Sequence, residues 1–339
     1  MGDQWTNESV REFAQGKDPI AAIVDRARDA VFRAAADGWT GPPFDPLQLA
    51  RLLGLEVVPL DTVTDARIVA GPSGSAIEYN PRRPRGRLRF SIAHEIAHSF
   101  FADAASTVRY RTGLGAVPDE DSDDWQLELL CNIAASELLM PNIALPIADI
   151  DSEPLDIDVI MQMRAQFDVS TEAILRRVVS VTTHQVACIA TSRVSDRADE
   201  PSAFRVDYAT ASRTWSEPVA RGEQIDSRSL ASCTAVGFTS KSVDDLGERG
   251  AFHVQAVGTP AYPGRRYPRV LALVHPLDET RSDSTHLAYV TGNASEPLGL
   301  LSLRDRWPSP ARCDGSRPCA SHCRGGPGSR SARRTRVVG

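Results

Sequence analysis

Lysine is almost absent from this chain, which has only Lys17 and Lys241 among its 339 residues, and long apolar runs are missing. No stretch reaches the roughly 18 apolar residues that a membrane span requires. The opening MGDQWTNESV has no basic region followed by an apolar one, so it does not resemble a signal peptide. We therefore expect a cytoplasmic protein that does not enter a membrane.

A net basic charge is missing as well. The formal charge is -6, whereas a protein that binds nucleic acid usually carries a basic face. The basic residues are nearly all arginine, and with abundant alanine, aspartate and proline this usage is typical of a high-GC bacterial genome. Direct DNA binding is therefore not expected.

Cysteine is scarce, and its positions do not form a disulfide framework. Three of the six cysteines stand alone in apolar surroundings and three lie near the C-terminal end: Cys131, Cys188, Cys233, Cys313, Cys319 and Cys323. The last three, with His322, lack a regular zinc-finger spacing, so we do not expect a zinc site there. This usage fits a reducing compartment.

The apolar pattern divides the chain into three parts. Helical spacing dominates up to residue 180, and from about residue 184 the period changes to two, which is typical of strands. Near the end the chain becomes rich in Arg, Pro, Ser and Gly and loses periodicity. We predict an α+β chain with a compact helical domain and small β-sheet over 18–180, a second α/β domain over 181–298, and a disordered tail over 299–339.

A metal-binding pattern lies in the segment FSIAHEIAHSFFAD, which is apolar nearly all round and predicts a core helix with Ser91 as its N-cap. His94 and His98 are four residues apart, so both imidazoles project from one helix face and can bind one ion. Glu95 would lie beside the open coordination position, where a carboxylate can act as general base. The pattern is H-E-x-x-H, which is typical of zinc peptidases.

A catalytic zinc usually has three protein ligands, so a third must come from elsewhere. Glu128 is the preferred candidate because it lies in a second apolar helix, where an unpaired carboxylate would be costly. Asn132, one turn later, could hold a histidine or Glu128 in place. Glu137 is about half a turn out of phase with Glu128. The alternatives that stay open are Glu137, Cys131, Asp121, Asp123 and Asp124.

The segments FSIAHEIAHSFF and ELLCNIAASELLMP resemble the ImmA/IrrE family of metallopeptidases, over about residues 20–180. The resemblance implies a compact gluzincin-like fold and one Zn²⁺ per chain, bound by His94, His98 and Glu128. It also implies that Glu95 is the base. Members of this family usually cleave a helix-turn-helix repressor.

The same resemblance implies that the second domain is a sensory, GAF-like module. One departure from the family is Cys131, where alanine is common. The group that would stabilise the oxyanion is not identified, although Tyr79 is one possibility.

Three further segments have two interpretations each. The helix pair at 158–179 could read DNA as a helix-turn-helix, but the acidic residues before it favour ordinary packing. The predicted strand at 75–80 could offer a free edge to an extended substrate. The arginine run at 82–89 is interpreted as a solvated loop rather than a contact for an acidic substrate.

The sequence thus predicts a zinc endopeptidase that hydrolyses a protein partner. The family resemblance implies that this partner is a helix-turn-helix repressor in stress response or mobile-element control. A second hypothesis is a non-catalytic regulatory protein that keeps the metal helix and acts by binding. A third is a metal-dependent hydrolase of a small amide. Replacing Glu95 by Gln separates the first two, because it removes the base and leaves the metal ligands.

Overall fold

The computed structural model describes residues 5–71, 74–102, 123–146, 150–151, 155–195, 203–246, 250–262 and 264–277. Within these ranges the chain is α+β, as predicted, with one small and one larger β-sheet. The predicted tail at 299–339 lies outside the described residues. Among the described helices, none combines the length and apolar character needed to cross a membrane.

Three helices open the chain: α1 (Glu8–Ala14), α2 (Pro19–Ala36) and α3 (Pro46–Leu52). Asn7, Asp18 and Asp45 cap them by accepting backbone N–H groups of the first turn, which otherwise lack partners. All three helices lie in the part of the chain where helical spacing was predicted, although α1 and α3 have only seven residues each. A seven-residue helix has too little periodicity to be recognised.

A three-stranded sheet follows, made of β1 (Glu56–Pro59), β2 (Ala66–Gly71) and β3 (Gly74–Tyr79) in the order β1-β3-β2. Strand β3 is parallel to β1 and antiparallel to β2. The predicted strand at 75–80 is therefore central, and the hypothesis that it offers a free edge is wrong. The edge strand that packs against the next helix is β2.

Two buried helices carry the predicted motifs: α4 (Arg85–His98) and α5 (Asp124–Leu139), which pack against each other. Helix α4 begins after Pro84, so Ser91 lies inside the helix and the prediction that it is the N-cap is wrong. Much of the arginine run is thus helical rather than a loop.

The arginines of this run form ion pairs with nearby aspartates. Arg83 and Arg87 contact Asp65 at 2.8 and 2.6 Å, and Arg85 contacts Asp168 at 2.5 Å. These carboxylates neutralise the positive charge and allow the helix to begin earlier than expected. The run is accordingly a structural contact.

Helices α6 (Ile157–Phe167) and α7 (Thr171–Val181) form the pair that could have been a helix-turn-helix. The apolar side of α7 packs on the second sheet. Ser180 is the most exposed residue of this helix. A recognition helix must present side chains to a groove. The packing interpretation therefore fits the structure better than DNA reading.

The second sheet has six antiparallel strands in the order β6-β5-β4-β9-β8-β7. The strands are β4 (Ala187–Arg193), β5 (Phe204–Ala211), β6 (Gln224–Ile225), β7 (Thr239–Asp245), β8 (Ala251–Thr259) and β9 (Arg269–Pro276). Helices α6 and α7 pack against one face, while the short helix α8 (Arg228–Ser232) contributes Leu230 to the core on the other.

Two kinds of ion pair hold α6 and α7 in place. In the interior, Arg177 of α7 bonds Glu137 of α5 at 2.5 Å, with Arg28 3.5 Å from the same carboxylate. At the surface, Lys241 of β7 lies 2.7 Å from both Asp156 and Asp158. Burial lowers the pKa of Arg177, and the charge of Glu137 opposes that shift.

We expect Arg177→Met to lower the free energy of unfolding by about 3 kcal/mol, because it leaves the Glu137 carboxylate buried with weaker pairing. Lys241→Met, the matched change at an exposed pair, should cost at most about 1 kcal/mol. Urea denaturation measures both. Equal losses in the two variants would contradict the assignment of the interior pair as the stronger constraint.

Candidate metal centre

The predicted metal-binding residues lie where α4 and α5 cross. His94 and Glu95 are only 2% and 3% exposed, because α4 is covered on nearly every side by apolar neighbours. His98 comes one turn after His94 on the same face, as its spacing predicted. Glu128 reaches this face from α5 and keeps 38% of its side chain exposed.

Three donor groups converge at this crossing. His94 Nε2 lies 3.1 Å from His98 Nε2 and 3.3 Å from Glu128 Oε2. His98 Nε2 lies 3.4 Å from Glu128 Oε1. Nitrogen and oxygen ligands on a tetrahedral zinc are about 3.3–3.6 Å apart. The donor set suits a zinc ion, and the two nitrogen–oxygen distances match this spacing, whereas the nitrogen–nitrogen distance of 3.1 Å is slightly shorter.

Asn132 orients the first histidine. Its Oδ1 lies 2.9 Å from His94 Nδ1, and an amide oxygen accepts hydrogen bonds, so Nδ1–H is the donor in this contact. Nε2 then carries the lone pair that points toward His98 and Glu128. This is the arrangement of a metal-ligating histidine and its outer partner.

Although Glu95 belongs to α4, its carboxylate is held in place by a strand. The backbone N–H of Ile68 in β2 donates to Glu95 Oε2 at 3.0 Å. This bond fixes the carboxylate beside the histidines and brings the edge strand next to the donor cluster. This contact cannot be predicted from the sequence, because no side-chain pattern marks a backbone donor.

The alternative ligands have different positions. Glu137 is bonded to Arg177 and to the N–H of Asn142, away from the cluster. Asp123 accepts from the side chain of Asn7 at 3.1 Å, and Asp121 lies outside the described residues. Cys131 is close: its sulfur and one ring nitrogen from each of His94 and His98 lie within 4.8 Å of one another.

Gln126 makes a contact that was not predicted from the sequence. Its side-chain oxygen accepts two consecutive backbone N–H groups, those of Thr6 and Asn7, each at 2.9 Å. Phe13 of α1 also stacks on Phe101, three residues beyond His98, with ring centroids 4.7 Å apart. The N-terminal segment thus contacts both elements that carry the donors.

Comparison with known proteins identifies the family of the central segment. Residues 53–179 match the family described as the IrrE N-terminal-like domain, a peptidase family. The matched segment includes α4 and α5, which carry the donor cluster, and its family is metallopeptidase-like. The predicted resemblance to ImmA/IrrE proteins is confirmed by this match of residues 53–179 to the IrrE N-terminal-like domain.

Two other comparisons complete this result. No curated protein sequence matches the chain. Among solved structures, a Mycobacterium tuberculosis transcriptional regulator is similar over 79% of this chain and 80% of its own, with 16% sequence identity and a TM-score of 0.49.

We expect Gln126→Leu to release the N-terminal segment, because the N–H groups of Thr6 and of the buried Asn7 lose their acceptor, and a buried N–H without an acceptor costs about 1–3 kcal/mol. Gln126→Glu keeps an acceptor oxygen and is the matched control. Amide hydrogen exchange at Thr6 and Asn7 is the measurement. The two N–H groups should exchange faster in the Leu variant only, and unchanged protection there would refute the contact.

Proposed function

We propose that this chain is a zinc-dependent endopeptidase that hydrolyses a peptide bond in a protein partner. The observation that carries the proposal is the convergence of His94, His98 and Glu128, whose donor atoms have the spacing of a zinc shell. The peptidase-like family of residues 53–179 supports it.

In this proposal His94, His98 and Glu128 hold one zinc ion, and the partly exposed side of Glu128 faces the substrate. Bound zinc supplies a Lewis acid that polarises a carbonyl and acidifies a water molecule. Glu95 takes the proton of that water on a carboxylate oxygen and passes it to the leaving amine. The Ile68 N–H keeps the carboxylate oriented for both transfers.

Strand β2 is the proposed binding edge for the substrate. The N–H of Ile68 points to Glu95 and therefore away from β3, and in a strand the N–H and C=O of one residue point to the same side. The Ile68 carbonyl consequently faces the donor cluster. An extended peptide can add to such an edge as a further strand, which brings its backbone to Glu95.

We further propose that the partner is a helix-turn-helix repressor in stress response or mobile-element control, and that the reaction takes place in the cytoplasm. The proposed division is a peptidase domain at 18–180 and a GAF-like sensory domain at 181–298 that gates it. Support for gating comes from contacts of the second sheet with α6 and α7. Lys241 bonds two aspartates, and Arg269 lies 3.3 Å from Glu172.

We expect about one zinc per wild-type chain, and loss or marked weakening of binding in His94→Ala, His98→Ala and Glu128→Ala, because each removes one donor. Elemental analysis of the purified proteins after zinc is supplied at neutral pH gives the stoichiometry. Glu137→Ala is the control, since its carboxylate is bonded to Arg177 instead. It tests whether loss of a buried carboxylate alone reduces zinc content. A wild-type protein that binds no zinc under these conditions would refute the peptidase proposal.

We expect Glu95→Gln to abolish cleavage of the partner and to leave zinc content and partner binding intact, because the amide keeps an acceptor for Ile68 but cannot take a proton. Glu78→Gln, at the pair that Glu78 forms with Arg67, is the matched control and should cleave normally. Gel analysis of a candidate repressor follows cleavage. If the wild type with zinc binds the repressor and never cleaves it, the non-catalytic regulatory protein is the better account.

A further inference from the structure

Cys131 lies inside the donor cluster. It comes three residues after Glu128 on α5, so the two side chains project from the same face toward α4. Its sulfur and one ring nitrogen from each of His94 and His98 lie within 4.8 Å of one another. A buried thiol this close to two histidines is a fourth potential metal donor.

The other described cysteines have different surroundings. Cys188 lies on β4 beneath α7, where burial raises the pKa of its thiol to about 12. Cys233 follows α8, and burial raises the pKa of its thiol to about 11. Within the described part of the chain, the candidate metal group contains Cys131 and neither of these. Burial is therefore shared by all three thiols, whereas proximity to the histidines distinguishes Cys131.

The two sides of the cluster differ in exposure. The Glu128 side chain is 38% exposed, whereas Cys131 has no exposed surface. A water or substrate carbonyl would thus approach beside Glu128, and the thiol would approach from the interior.

We propose that Cys131 is a further, thiolate ligand of the metal that His94, His98 and Glu128 hold, an inference that rests on the proposed function. Zinc–sulfur bonds of about 2.3 Å and zinc–nitrogen bonds of about 2.0 Å place sulfur and nitrogen about 3.5 Å apart in a tetrahedral shell. A shift of about 1 Å closes the remaining distance, and the thiol proton is released to solvent.

The consequence is a resting site with four protein donors. Four donors close a tetrahedral zinc shell, as in structural zinc sites, whereas catalytic sites keep one position open. Hydrolysis would then require Cys131 to leave the metal or the shell to expand. The second consequence is a preference for thiophilic metals, because thiolates favour softer ions than carboxylates do.

Cobalt(II) tests this inference directly, because a thiolate ligand adds an intense sulfur-to-cobalt charge-transfer band in the near ultraviolet. We would titrate cobalt(II) into the full chain and into Cys131→Ala and Cys131→Ser, and record absorption and cobalt stoichiometry. A variant with Ser at Cys313, Cys319 and Cys323 controls for cobalt binding by those thiols. Cys188→Ala controls for the general effect of removing a buried thiol.

We expect the band in the wild type, the Cys188→Ala variant and the triple Ser variant, and its loss in both Cys131 variants, which should still bind cobalt. Turnover of the partner should rise in Cys131→Ala, because one position of the shell is freed. Bound cobalt with visible absorption and no sulfur band in the wild type would overturn this inference and leave the proposed function standing. A band lost only in the triple Ser variant would also overturn it. A wild-type chain that binds no metal would refute both the Cys131 inference and the proposed function.

Discussion

The approach of two imidazole nitrogens and a carboxylate to within 3.1–3.4 Å of one another is the constraint on which the surrounding structure depends. Such groups lose hydration when they are buried, and only good pairing or a metal offsets that cost. Their side chains must also be held still, since each has several rotamers. The contacts around the cluster are explained by this requirement: Asn132 fixes one ring, and the Ile68 N–H fixes the neighbouring carboxylate.

The positions of α4 and α5 depend in turn on ion pairs with α6 and α7. Asp168, in the turn between α6 and α7, contacts Arg85 and Arg89 of the metal helix at 2.5 and 3.5 Å. Arg177 of α7 bonds Glu137 of α5. Helices α6 and α7 therefore hold both helices that carry the metal donors. They contact α4 in its N-terminal half and α5 near its C-terminal end. Five of the eleven α7 residues are buried and only Ser180 is exposed, so this helix offers little free surface to a DNA groove.

The sequence predicts local features of this arrangement well and distant ones poorly. Helical periodicity places His94 and His98 on one face, because they are one turn apart. The cost of a buried carboxylate does not separate Glu128, which is 38% exposed, from Glu137, which is buried and paired with Arg177. The Ile68 and Gln126 contacts join residues 27 and 120 positions apart, and the order of the small sheet depends on pairing between strands that are not consecutive in the chain. Backbone donors leave no side-chain signature, so such contacts are invisible in the sequence. The early start of α4 was missed for a related reason, since its arginines are stabilised by Asp65 and Asp168 from distant segments.

The two classes of ion pair also indicate which motions the second sheet could impose on the metal centre. Its links to α6 and α7 through Lys241 and Arg269 are partly exposed, and exposed pairs contribute little and are screened by salt. The link from α7 to α5 through Arg177 and Glu137 is buried, and breaking it would leave an uncompensated charge. A displacement of the sheet that moved α6 and α7 would therefore carry α5 with them through the buried pair. Because Glu128 lies on α5 and the histidines on α4, a small relative movement of these helices would change the donor spacing. Within the proposed function, regulation by the second sheet thus acts most simply on the metal shell.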